Sequence, residues 1–64
     1  METWRFLYTK ESSYKKATNK NGSLKRGKSK FIITEGINYS ECLIIAKKDA
    51  SFNDNQLIGS IKIS

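Results

Sequence analysis

The stretch Gly22-Ser23-Leu24-Lys25-Arg26-Gly27-Lys28-Ser29 has the residue types and spacing of a phosphate-binding loop: glycine, four residues, glycine, then Lys-Ser. In a nucleotide-hydrolysing site the glycines let the backbone close on phosphate, the lysine neutralises it and the hydroxyl holds a cation. That chemistry also needs a context. The loop must leave a buried parallel strand and open a helix whose amides converge on the anion. Here Lys28-Ser29 runs into Lys30-Phe31-Ile32-Ile33-Thr34, a β-favouring run. A basic Gly/Lys/Ser turn is therefore expected, and nucleotide hydrolysis is not.

Few other residues are equipped for catalysis. The chain has no histidine, the commonest general base and metal ligand. Cys42 is the only cysteine, so neither a zinc site nor a Cys-His nucleophile can be assembled. Its apolar neighbours suggest a buried structural thiol. Glu2, Glu11, Glu35, Glu41, Asp49 and Asp54 are scattered, with no metal-binding spacing. The expectation is a protein that is not an enzyme and takes no cofactor or metal.

Charge is the stronger signal. The net charge is +6 over 64 residues, and one segment holds all of it. From Lys10 to Lys30, eight cations stand against Glu11 alone, a local excess of +7. Elsewhere four cations face five acids. Such asymmetry points to an anionic partner. Lys15, Lys16, Lys20, Lys25, Arg26, Lys28 and Lys30 are the candidate residues for binding nucleic acid or a partner protein. Lysine dominates over arginine there, which suits phosphate contact without bidentate reading of bases.

Hydrophobic periodicity supplies the elements that must position this segment. A chain this short has room for one domain, residues 1–64, with a basic loop or extended hairpin at 10–30. Thr3 to Thr9 alternates as a strand, with Trp4, Phe6 and Tyr8 on one side and Arg5, Leu7 and Thr9 on the other. The aromatic stripe is expected beneath a helix, because Leu7 alone makes a poor core face. The alternative is a stacking platform on an open face. Asn21-Gly22 can form a tight turn with Tyr14 and Leu24 in cross-strand contact, although a wholly flexible loop fits the composition equally.

Lys30 to Glu35 reads as a second strand ended by Gly36. Asn38 is placed to cap a helix, with Glu41 reaching back and Ile37 and Cys42 spaced as a hydrophobic staple. Tyr39, Cys42, Leu43, Ala46 and Ala50, widened by Ile45, make one helical stripe. Phe52 to Asn55 reads as a polar connection with one aromatic. Gln56 to Ile63 reads as a third strand with Leu57, Gly59, Ile61 and Ile63 on one face.

The order is ββαβ, an α+β fold. A right-handed crossover gives a three-stranded antiparallel sheet in the order 2-1-3, with the helix on one face and the other face solvated or free for contact. Trp4 and Arg5 interrupt any N-terminal apolar run, and no stretch approaches a membrane span. No membrane partner is expected, and a reducing cytoplasm is the expected location.

Trp4-Arg5-Phe6-Leu7-Tyr8 and the stretch from Phe31 to Ala50 resemble a family of short ββαβ proteins from Bacteroidetes and their phages. They also resemble the small phage inhibitor of bacterial RNA polymerase. The resemblance covers about half the chain and consists of hydrophobic patterning. It implies a phage or mobile-element origin and carries over no functional residues. The inhibitor presents acidic surface, whereas this loop is basic. The leading expectation is a non-enzymatic accessory protein that binds nucleic acid through the lysine-rich loop. The alternative is a phage inhibitor docked on a host enzyme, RNA polymerase or a defence nuclease, by protein contact. A structural component of a larger assembly is a third reading.

Overall fold

A computed structural model describes all residues from Met1 to Ser64. Alternating aromatic and small or charged residues make β1 (Glu2–Thr9), and Phe31, Ile32 and Ile33 lie at the heart of β2 (Ser29–Gly36). The helix α1 spans Tyr39–Ala50, and β3 runs from Leu57 to Lys62. Short 3₁₀ turns lie at Tyr14–Ala17 and Asp54–Gln56. The sheet order is β2-β1-β3 and both pairings are antiparallel, the expected topology.

Phe6 sits at the centre of the middle strand and is fully buried. It packs with Cys42 and Ala46 of α1 and with Phe52, and Trp4, Tyr8, Ile32, Leu43 and Leu57 close around them. Tyr39 meets Trp4 and Phe6 edge-on, with ring centroids 4.8 and 5.7 Å away. Trp4, Phe6 and Tyr8 thus form the core beneath the helix, and they are not a platform on the open side. Phe52 belongs to the core rather than to a polar connection: it is 3% exposed and stacks on Tyr8 at 4.7 Å.

Asn38 caps α1 as expected, its Oδ1 accepting from Glu41 N at 2.9 Å. No return bond joins the Glu41 side chain to the Asn38 amide, and the reciprocal capping box forms instead between Asn53 and Gln56. The Ile37–Cys42 staple does not form. Cys42 is drawn into the core, and Ile37 is left 70% exposed. Thr34 Oγ1, buried beneath α1, donates to Cys42 O at 2.9 Å.

The face assignment of the third strand changes along its length. Leu7 pairs with Gly59 but Tyr8 pairs with Leu57, so an extra residue, Ile58, is accommodated at a bulge. A one-residue slip moves side chains to the opposite face. Leu57 therefore joins the core, whereas Gly59 and Ile61 lie opposite Leu7 and Arg5 on the uncovered side.

Two glycines test this packing in opposite directions. At Gly36 an added Cβ would meet Cys42 Sγ at 3.1 Å and Cys42 N at 3.2 Å. Gly36→Ala is expected to destabilise by about 1–3 kcal/mol through overpacking. At Gly59 an added Cβ meets nothing within 4 Å, so Gly59→Ala is expected to be neutral or to stabilise by up to about 1 kcal/mol. Urea denaturation of both variants checks the contrast, and equal effects would contradict the described packing.

Candidate nucleic-acid interface

The basic segment leaves β1 at Thr9 and returns to β2 at Ser29, and its backbone is tied at both ends. Thr9 is fully buried. Its hydroxyl donates to Lys28 O at 2.6 Å and accepts from Glu11 N at 3.0 Å. From across the sheet, Gln56 Nε2 donates to Thr9 O and Glu11 O at 3.1 and 2.9 Å, and Asn55 Nδ2 donates to Ser12 O at 2.8 Å.

Between these ties the chain forms the 3₁₀ turn at Tyr14–Ala17, which buries Ala17 completely. A short hairpin follows. Asn19 N donates to Ser23 O at 2.7 Å, and Gly22 takes a left-handed φ of 89° at the tip, as Asn21-Gly22 suggested. The expected Tyr14–Leu24 contact is replaced: Thr18 bridges to Leu24, and Lys25 N donates to Ala17 O at 2.7 Å. A second turn, Lys25 to Lys28, uses Gly27 at φ 76°. The segment is neither one extended hairpin nor a loose loop. Ser29 opens β2, a strand, so the Gly-Lys-Ser spacing lacks the helix start that phosphate hydrolysis requires.

All seven candidate cations are exposed. Glu11 is the pivot for part of them. Lys28 Nζ lies 3.0 Å from its carboxylate, and Lys16 and Lys25 are near enough to act on it electrostatically. The bond from Lys28, then the charges of Lys28, Lys16 and Lys25, hold the Glu11 carboxyl below its ordinary 4.5, against a smaller desolvation effect. Lys15, Lys16, Lys20, Lys25, Arg26 and Lys30 make no ion pair. Lys10 joins the group, because the Lys30 ammonium beside it lowers its pKa. Period-two alternation could have identified Lys10: it lies two residues beyond Tyr8, the register partner of Lys30.

The open face of the sheet is more apolar than Leu7 alone suggested. β2 and β3 add Phe31, Ile33 and Ile61, which are 60, 51 and 55% exposed. A groove of about 360 Å³ is lined by Arg5, Leu7, Phe31, Gly59, Ser60 and Ile61. The Arg5 guanidinium lies 5.8 Å from the centroid of the Phe31 ring, within cation–π range. Pairing register was the missing signal here, since each strand alone shows only part of this surface. No group of three or more His, Cys, Asp or Glu side chains is placed to hold a metal, and no helix is long and apolar enough to cross a membrane.

No family model, curated protein or solved structure matches the chain.

The Glu11 tie predicts an acid-sensitive segment. Because folding lowers the pKa, the tie contributes fully above the ordinary 4.5 and is lost as pH falls through the depressed value. Glu2 titrates in the same sense, held down first by the Trp4 indole N–H at 2.8 Å and then by Lys62. Stability is expected to drop as pH falls below the ordinary 4.5, and Glu11→Gln should show a smaller drop. Urea titrations on either side of that value measure both. An identical pH profile for parent and variant would show that Glu11 contributes nothing.

Proposed function

We propose that the protein is a non-enzymatic nucleic-acid-binding accessory protein whose Lys10–Lys30 segment contacts the phosphate backbone. The observation that carries this reading is a group of exposed cations without ion-pair partners on a backbone already braced by Thr9, Asn55 and Gln56. Bracing reduces the entropy lost on binding. Lysine ammoniums act as point charges that read phosphate rather than sequence. A lysine-, asparagine- and isoleucine-rich composition fits an AT-rich phage or mobile-element gene, and a single cysteine without a disulfide partner fits a reducing cytoplasm.

A second reading is favoured by the exposed Phe31, Ile33 and Ile61. Apolar surface of this kind also suits a protein partner, in line with an inhibitor that docks on a host enzyme such as RNA polymerase or a defence nuclease. Pull-down from host lysate with and without nuclease separates the readings. Partners lost with nuclease support nucleic-acid binding, and one enzyme retained supports docking.

Charge reversal tests the basic segment. Lys20→Glu, Lys25→Glu and Arg26→Glu together take the segment from +7 to +1 and leave the Lys28–Glu11 pair in place. The triple variant is expected to remain folded by circular dichroism and to lose polyanion binding. For the parent, the logarithm of the binding constant should fall with log salt by about 0.9 per duplex phosphate neutralised, or about 0.7 on a single strand. Equal affinity of parent and variant at low salt would contradict phosphate contact by this segment.

A further inference from the structure

The groove on the open face carries chemistry that the lysines do not. Its floor is a cation over an aromatic ring, Arg5 on Phe31, and Arg5 makes no ion pair with any acid of the chain. Its width comes from Gly59. That residue lies opposite Leu7 in the sheet, and no atom stands within 4 Å of where its Cβ would be. A guanidinium and a phenyl ring that are both solvent-accessible form a surface on which a flat, electron-rich ring can stack.

The groove is also continuous with the basic segment. Phe31 follows Lys28 by three residues along an extended chain, a separation of about 10 Å. On the same face as Leu7, Thr9 follows by two residues and donates to Lys28 O at 2.6 Å, so the segment is tied to this face at the end of β1. A ligand whose anionic backbone lies on Lys25 and Arg26 can therefore place attached rings against Phe31. Bases in a duplex are stacked on one another and cannot do this, whereas bases in a single strand can.

We propose that the open-face groove of Arg5, Leu7, Phe31, Gly59 and Ile61 stacks the bases of single-stranded nucleic acid. Single strands, rather than duplexes, are then the preferred ligand. The assignment rests on the phosphate-binding reading of the basic segment and names the ligand class for it. Charge complementarity chooses this occupant over an apolar protein surface, because an unpaired guanidinium stands at the centre of the groove and the basic segment is tied to the same face through Thr9.

The test measures fluorescence anisotropy with a labelled single-stranded oligonucleotide and with its duplex, for the parent, Phe31→Ala, Phe31→Trp and Gly59→Val. Phe31→Ala is expected to weaken single-strand binding roughly 5- to 150-fold, the effect of losing one stacked base. Phe31→Trp should retain binding, because it keeps a stacking ring. Gly59→Val fills the groove where nothing opposes a Cβ, so it should keep the fold and weaken single-strand binding. Duplex binding should change less than about twofold in every variant, since lysine–phosphate contacts are untouched. Circular dichroism and thermal melts establish folding, and Gly59→Val decides the matter if Phe31→Ala unfolds. A parent that binds single strand and duplex alike, with both groove variants unaffected, overturns base stacking but leaves phosphate binding by the lysines standing. A parent that binds neither form overturns both.

Discussion

One helix cannot cover both faces of a three-stranded sheet, and this constraint shapes the molecule. α1 is twelve residues long and packs over β1 and β2. The burial of Phe6 is what it secures. Phe6 is central in the central strand and has no solvent exposure, and its burial is worth about 1.5–3 kcal/mol relative to exposure. In so small a domain that is a large share of the stability. Everything that closes on Phe6 follows from this need. Tyr39 comes from the start of the helix, Cys42 and Ala46 from its inner stripe, and Phe52 from just beyond its end. Ser51 enters the left-handed region at φ 59° to turn the chain toward that last contact. The opposite face of the sheet has no α-helix over it; the basic segment closes on it only at Thr9, and Phe31, Ile33 and Ile61 stand exposed.

The same economy governs the basic segment. With so many like charges, an untethered loop would be expanded by its own repulsion. The fold counters this through backbone ties that do not depend on charge. Thr9, Asn55 and Gln56 spend their side-chain hydrogen bonds on the segment's first residues and on Lys28, and Ala17 is sealed against the rest of the protein. Glu11 then neutralises Lys28 locally, while the outer cations face solvent. The charge is thus held on one end of an elongated molecule measuring 37 × 20 × 16 Å.

Strand and helix order was legible because alternation and helical stripe are local properties. Trp4-Phe6-Tyr8 announced a core face, and Asn38 announced a cap. The 2-1-3 order followed from handedness and the need to centre the aromatic strand. Features that depend on tertiary competition were not legible. Ile37 satisfied the spacing of a staple, but the core took Cys42 and left Ile37 in solvent. The bulge at Ile58 reversed the face of Leu57 relative to Gly59, which no alternation within the strand could reveal. The fold of the lysine segment depends on hydrogen bonds from Asn55 and Gln56, more than forty residues away along the chain. At the site, sequence marked the cations individually. It did not mark the Arg5–Phe31 groove, whose residues come from separate strands and meet only in register.

The most direct measurement is a titration of ¹⁵N-labelled protein with a single-stranded oligonucleotide, followed by amide chemical shifts. Binding through the basic end and the open face predicts salt-sensitive shifts at Lys15, Lys16, Lys20, Lys25, Arg26 and Lys30, together with Phe31 and Gly59. The outward side of α1, at Ile44 and Lys48, should stay silent. Shifts centred on that helical side, or none at all at low salt, would contradict the account.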